Sequence, residues 1–153
     1  FGGSTLPITD KRMTRFLISS QQVVAAVEFA LEHHIGGEIF VPKTSSYCIT
    51  DLATAIAPAM KQKEIGIRPG EKIHEELISS SESLNTIELS DYYLIVPLIT
   101  FTGRRRKTDF IQHYKATEVP TGFHYSSNEN TSFETVESLR NKVKLFVNPS
   151  FRI

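Results

Sequence analysis

The sequence has little of what would announce a catalytic or scaffold role. A single cysteine, Cys48, stands among 153 residues, which excludes an internal disulfide framework and a multi-cysteine metal site and suits a reducing cytosol. Neither sign of charge is in excess. With 17 basic side chains against 17 acidic ones, neither nucleic acid nor an anionic membrane surface is expected as a partner, since both call for a basic surplus. Long hydrophobic runs are missing too: the most apolar central stretch, Tyr92 to Ile99, contains Pro97 and falls far short of the roughly 20 residues of a membrane span. The opening Phe1-Gly2-Gly3-Ser4 lacks the basic and apolar regions of a signal peptide and does not begin with methionine. We therefore expect an interior piece or a processed product, soluble and cytoplasmic. Two absent motifs matter most. No G-x-G-x-x-G is present to turn around a dinucleotide pyrophosphate, and none of Tyr47, Tyr92, Tyr93, Tyr114 or Tyr125 has a lysine four places on. The chain alone shows no hydride-transfer machinery, so no catalytic, cofactor-binding or metal-ligating residue is assigned within it.

What is present reads as one ordinary globular part, residues 1–153, with 40% hydrophobic and 22% charged side chains and enough length to bury a core. Leu6-Pro7-Ile8-Thr9 is extended. Ser19 and Gln22 have capping-box spacing, and Val23, Val24, Val27 and Leu31 then recur on one helical face until Gly36-Gly37 ends the segment. Glu38 to Val41 reads as a buried strand stopped by Pro42. Thr50 is placed to cap a second helix that turns Leu52 and Ile56 inward. Glu64 to Ile67 and Tyr92 to Val96 read as further strands, and Thr135 opens a last helix with Val136, Leu139, Val143 and Phe146 along one stripe. The region from about Thr100 to Asn130 is read as irregular, with a short strand near Phe123 to Tyr125. Strands alternating with helices predict the α/β class.

Among the polar motifs, Ile67-Arg68-Pro69-Gly70-Glu71-Lys72 is the strongest. A strand ends, the chain turns, and an arginine and a glutamate are presented together. A guanidinium fork matches phosphate oxygens and a carboxylate accepts from paired hydroxyls, although a surface turn with a local ion pair satisfies the same pattern. Asp10-Lys11-Arg12-Met13-Thr14-Arg15-Phe16 crowds basic residues ahead of the first helix, as an anion grip or as a solvated face. His33 and His34 suit a helix C-terminus. His74 has no second histidine at ligand spacing, Arg104-Arg105-Arg106-Lys107 reads as a solvated mobile loop, and Cys48 as a small, partly buried residue.

Several blocks in order resemble one family: Thr9 to Phe16, Gly36 to Lys43, Ile49 to Leu52, Ile65 to Glu75, Tyr92-Tyr93 and Tyr125-Ser126-Ser127. The family is the inverting UDP-N-acetylglucosamine 4,6-dehydratases of the extended short-chain dehydrogenase/reductase superfamily, which serve pseudaminic acid and related surface-glycan pathways. The resemblance runs from about Leu6 to the last helix. It implies the carboxyl-terminal, UDP-sugar-binding part of an extended Rossmann-type enzyme, without the main dinucleotide-binding sheet. It further implies that NADP and the catalytic groups belong to an amino-terminal half, that this chain alone is inactive, and that the full-length enzyme is a homo-oligomer. Carried over onto this sequence, Arg15 and Arg68 contact the diphosphate and Glu71 faces the uridine ribose, while Val41, Pro42 and Lys43 lie beside the uridine. Phe1 to Thr5 and the basic run from Arg104 depart from the family pattern. The rival readings are a UDP-sugar 4-epimerase or retaining dehydratase of the same fold, and a non-catalytic sugar-nucleotide-binding or interaction fragment.

Overall fold

A computed structural model describes residues 4–98 and 105–151. In chain order these residues form β1 (Thr5–Ile8), β2 (Thr14–Leu17), α1 (Ser20–His33), β3 (Ile39–Pro42), β4 (Ser45–Cys48) and α2 (Ile49–Ile56). Then come β5 (Lys61–Glu64), β6 (Glu76–Ile78), a 3-10 turn (Ser80–Asn85), β7 (Thr86–Glu88) and β8 (Tyr92–Ile95). The chain ends with α3 (Lys107–Tyr114), β9 (Thr117–Glu118), β10 (Tyr125–Ser126), α4 (Val136–Lys142) and a π-type turn (Val143–Val147). The mixed α/β class is as the alternation predicts. No helix among the described residues is long and apolar enough to cross a membrane.

The chain divides into two compact units. The first holds the described residues of 1–17, 44–75 and 126–153, and the second those of 18–43 and 76–125. In the first unit β1 and β5 pair in parallel, Thr5 opposite Lys61 through Ile8 opposite Glu64, and β2 and β4 pair antiparallel, Arg15 opposite Tyr47. Ile8, Met13, Ala53, Ala55 and Leu139 are its buried apolar side chains. Helix α4 packs on α2. The Arg140 guanidinium donates to the carbonyls of Ala55 and Thr54 at the end of α2, where a cation meets the negative end of the helix. Thr135 caps α4 as its position predicts, its hydroxyl accepting from Ser138 N at 3.1 Å, but of the expected stripe only Leu139 is fully buried, and Phe146 faces outward.

Two expectations in this unit fail. Helix α2 begins at Ile49, directly off β4, so Thr50 lies inside it rather than at its cap, and the small Ala53 and Ala55 face inward in place of Leu52 and Ile56. The strand read at Glu64–Ile67 is displaced to Lys61–Glu64. Its side chains alternate no apolar face, and what makes it a strand is pairing with β1; Ile65 and Ile67, which suggested it, are exposed.

The second unit is built on an antiparallel sheet in the order β3-β8-β7-β9, with Val41 opposite Tyr93 and Ile87 opposite Leu94. Its core is Ile87, Leu94, Val96, Phe110 and Ala116, each burial of a large side chain contributing about 1.5–3 kcal/mol. Phe110 comes from α3, a helix that the reading of residues 100–130 as irregular misses. Its start is fixed by the Asp109 carboxylate accepting from Arg106 N at 2.7 Å, and its end by Lys115 in the left-handed conformation. The expected loop at Arg104–Lys107 is likewise not free beyond Arg104, which lies outside the described residues. Arg105 donates to the Ile35 carbonyl, and Lys107 donates to the Leu84 carbonyl at 2.9 Å.

Helix α1 starts as its sequence predicts: Ser19 Oγ accepts from Gln22 N and Gln22 Oε1 accepts from Ser19 N. His33 and His34 cap its other end through their Nδ1 atoms on the carbonyls of Phe29, Ala30 and Leu31. Gly36 and Gly37 then take φ of +130° and +87°, which only glycine tolerates freely. The helix is held to the sheet by Phe29, stacked on Tyr92 at 4.5 Å and edge-on to Phe40 at 5.8 Å. The apolar face of the helix is bare: Val23, Val24, Val27 and Leu31 are 45, 56, 53 and 69% exposed, and Ile39 is 58% exposed. A contiguous stripe of that kind marks a surface meant to be covered. Val24→Lys with Leu31→Lys is expected to reduce self-association in sedimentation velocity and to change stability by no more than about 0.5 kcal/mol, as for substitutions at exposed positions. A large loss of melting temperature would show that the stripe is already packed.

Candidate functional site

The turn that the sequence singles out is built mostly from its own backbone. Glu71 N donates to Arg68 O at 3.1 Å and the Glu71 carboxylate accepts from Arg68 N at 3.0 Å, so the two residues close the turn on each other. Gly70 supplies φ of +85° at its tip, and beyond its chain neighbours no atom of the described residues lies within 4 Å of where its Cβ would be. Arg68 is exposed, and its guanidinium has no partner among the described residues. Glu71 is half-buried. A free guanidinium fork beside a carboxylate held by one oxygen is the arrangement that the sequence suggests, and in the first unit nothing covers it.

Arg15 sits in β2 with its fork already occupied. One terminal nitrogen donates to the carbonyls of Thr14 (2.7 Å) and Ile73 (3.0 Å), the other to Lys72 O (3.0 Å) and Met13 Sδ (3.6 Å), and Nε faces the Glu75 carboxylate at 3.4 Å. Arg15 therefore clasps the segment that follows the turn. The contact with Glu75 is the longest of its oxygen contacts and the one that an anion could replace. Arg15, Arg68 and Glu71 thus belong to one continuous piece of structure in the first unit.

Val41, Pro42 and Lys43 belong to the second unit. Val41 is buried, while the Lys43 ammonium pairs with Glu88 at 2.7 Å, donates to Leu89 O at 2.8 Å and lies 4.8 Å from the centre of the Tyr93 ring. Burial and the neighbouring carboxylate of Glu88 push the Tyr93 phenol up, so it stays protonated at neutral pH.

Sequence reasoning missed the partners of His74. Its Nδ1 lies 2.8 Å from Thr14 Oγ1, which is 2.7 Å from Ser127 Oγ. Residues sixty or more positions apart leave no spacing signal. Among the described residues no group of three or more histidine, cysteine or acidic side chains could hold a metal. Of the positive-φ glycines among the described residues, Gly36 and Gly37 follow α1, and Gly66, Gly70 and Gly122 lie outside helices and strands. Cys48 is half-buried, and burial, with the Asp51 carboxylate nearby, raises its thiol above the ordinary value.

A family model described as polysaccharide biosynthesis protein matches residues 2–97. The chain is 46% identical over 141 residues to a Campylobacter jejuni (serotype O:2) protein named UDP-N-acetylglucosamine 4,6-dehydratase (inverting), covering 90% of this chain and 42% of that one. It is 42% identical over 97 residues to a Rickettsia rickettsii UDP-glucose 4-epimerase, covering 61% of this chain and 28% of the relative. Among solved structures, Pen from Bacillus thuringiensis superimposes with a TM-score of 0.69 at 28% identity, over 93% of this chain and 41% of that one. The chain therefore spans about two-fifths of the length of that dehydratase and of Pen.

The segment leading into β2 also holds an acid-sensitive contact. Arg12 forks onto Asp10, Nη2 to Oδ2 at 2.7 Å and Nε to Oδ1 at 3.0 Å, and Arg12 N adds a third bond to Oδ1 at 2.8 Å. These donors lower the Asp10 carboxyl from 3.8 to about 2. A carboxyl whose value is depressed on folding adds stability in full above its unfolded value and loses it as pH falls through the folded one. Between about pH 4 and 2 the wild-type chain should lose stability that Asp10→Asn never had. Thermal melts across that range should therefore show a shallower acid limb for the variant, and parallel limbs would show that the Asp10–Arg12 fork adds nothing to the folded state.

Proposed function

Because the chain belongs to the polysaccharide biosynthesis protein family, we propose that it is the UDP-sugar-binding, carboxyl-terminal part of an NADP-dependent UDP-N-acetylglucosamine 4,6-dehydratase of the inverting kind. The dehydratase reading is favoured over the epimerase one because the likeness to the dehydratase extends over 90% of the chain, including the segment with Ser127, whereas the likeness to the epimerase covers 61%. On this reading the chain binds substrate and holds no catalytic group, and NADP is bound by the portion of the relatives that the chain does not span. The full-length enzyme is cytoplasmic and homo-oligomeric and makes a 4-keto-6-deoxy sugar nucleotide for pseudaminic acid or a related surface glycan.

The observation that carries the reading is the Arg68–Glu71 turn. Arg68 offers its unpartnered fork to the diphosphate, and Glu71, using one oxygen on the Arg68 amide, keeps the other for a ribose hydroxyl. Arg15 completes the grip by exchanging its long contact with Glu75 for a phosphate oxygen. Val41, Pro42 and Lys43 flank the uracil. The bare stripe on α1 supports the same reading, since the remaining three-fifths of such an enzyme provide chain to cover it.

A hydrogen bond to a charged group is worth roughly 1.5–3 kcal/mol, so Arg68→Ala should weaken UDP binding by about tenfold or more. Arg68→Lys keeps the charge but loses the fork and should recover only part of the affinity. Calorimetric titration of the full-length enzyme with UDP at fixed salt measures both. Affinity unchanged in Arg68→Ala would sink the site, whatever the family.

A further inference from the structure

We infer that Thr14, His74 and Ser127 form a positioning knot for the UDP site, a hydrogen-bonded core that fixes the foot of the Arg68–Glu71 turn. The inference rests on the proposed sugar-nucleotide reading and adds three residues to it. None of the three is a ligand: they act through the backbone of residues 72–75.

The knot joins three stretches of chain. Ser127 and Glu75 exchange two bonds, Ser127 N to Glu75 O at 2.8 Å and Glu75 N to Ser127 Oγ at 2.9 Å. Thr14 N donates to Ile73 O at 3.1 Å, and the Thr14 hydroxyl stands between Ser127 Oγ and His74 Nδ1. Ser127 is fully buried and Thr14 is 6% exposed, so these hydroxyls cannot trade their partners for water. Counting protons then gives the chain a direction. Ser127 Oγ accepts from the Glu75 amide and has one proton left, for which Thr14 Oγ1 is the acceptor. Thr14 gives its own proton to His74 Nδ1, which must be the acceptor nitrogen, with the ring proton on Nε2. Run the other way, the Ser127 proton has no acceptor among the described residues, and a stranded buried donor costs about 1–3 kcal/mol. A hydroxyl at 14, a hydroxyl at 127 and an acceptor nitrogen at 74 are therefore required together.

This points to a site rather than to ordinary packing because of what the knot holds. Gly66 N still donates to Thr9 O at 3.1 Å, but from there to Glu71 the turn has almost no support of its own. Beyond its chain neighbours no atom of the described residues lies within 4 Å of where a Cβ would stand at Gly70, and the hydrogen bonds of the turn are those between Arg68 and Glu71. Its aim is set where the chain becomes fixed again, at residues 72–75. There every tie runs either to Arg15 or to the knot. A guanidinium fork gains its affinity from orientation, and a foot that shifts by a fraction of an ångström misdirects it.

The test compares Thr14→Val, which keeps the shape and removes the hydroxyl, with Thr14→Ser, which restores it, in the full-length protein. Ser46→Ala is the control for stability alone: Ser46 is also fully buried in the first unit and bonded, to Asn130, but has no bond to residues 72–75. UDP affinity is measured calorimetrically at a temperature where each variant is folded, beside its melting temperature. We expect Thr14→Val to bind UDP about tenfold more weakly, in line with the loss of outer-shell partners at other built sites. Thr14→Ser should return to within about twofold of wild type, and Ser46→Ala should melt earlier with wild-type affinity. Should Thr14→Val not fold, the half-buried His74 gives the same comparison, with His74→Leu removing the acceptor and His74→Asn placing an oxygen where Nδ1 lies. Wild-type affinity in Thr14→Val (or His74→Leu), or an equal loss in Ser46→Ala, overturns the positioning role while leaving the UDP site standing. A wild-type protein that does not bind UDP at all overturns both.

Discussion

The carbonyls of Lys72 and Ile73 belong to no helix or strand, and a loop laid against the body of a protein must still find donors for such groups. Arg15 supplies them. Its fork reaches both carbonyls, and the Thr14 amide adds a second bond to Ile73. Without that cation, β2 and the segment after the turn would be joined by the bonds of Thr14 alone. Everything proposed about the site depends on this contact, because it gives a turn made of glycine, proline and exposed side chains a fixed point to project from. It also divides the labour between the two arginines in a way that their shared charge does not suggest. Arg15 is committed to protein carbonyls and to the Glu75 carboxylate, whereas the Arg68 guanidinium is uncommitted among the described residues.

How far the sequence foretells this depends on whether the cause is local. The capping box at Ser19–Gln22, the end of α1 before its paired glycines and the strand at Tyr92–Ile95 are legible because each is decided by neighbours a few residues apart. So is the Arg68–Glu71 turn, whose bonds span three residues. Strand β5 escapes because Lys61-Gln62-Lys63-Glu64 carries no apolar alternation and is a strand only by pairing with β1, more than fifty residues away. Helix α3 is obscured by the basic run before it, although Phe110, Ile111 and Tyr114 give it a buried side at helical spacing. The occupation of Arg15 and the His74–Thr14–Ser127 chain cannot be read at all. Carbonyl acceptors have no residue signature, and the hydroxyls come from opposite ends of the chain.

The periodicity of α1 teaches something different. The pattern Val23, Val24, Val27, Leu31 does mark one face of a helix, but that face does not turn to the chain's own core. Amphipathicity reports that a face is buried against something, not what that something is. Here Phe29 alone of the large apolar residues turns to the sheet, making its stack on Tyr92, while the valines lie open. At about 25 cal/mol per Å² of apolar surface removed from water, covering that stripe is worth several kcal/mol, a sizeable fraction of the roughly 5–15 kcal/mol that holds a domain together. The relatives, more than twice as long, have the chain to do so.

Lys43 and Arg68 differ in how far their charge is already compensated. Lys43 in the second unit is neutralised by Glu88, lies against Tyr93 and donates to Leu89, so it presents a compensated surface rather than a free cation. Such a surface can flank an uncharged base, which needs shape and hydrogen bonds, but is poorly suited to a diphosphate, which needs uncompensated positive charge. Arg68 is the reverse: exposed, unpartnered among the described residues and carried on a turn with nothing else to recommend it. Charge left uncompensated costs little at a surface, where water screens it, so its persistence there is no stability argument in either direction. What gives it meaning is the support just behind it: two buried hydroxyls, a histidine and one bond from each terminal nitrogen of a second arginine tie down the four residues that follow an otherwise unsupported turn.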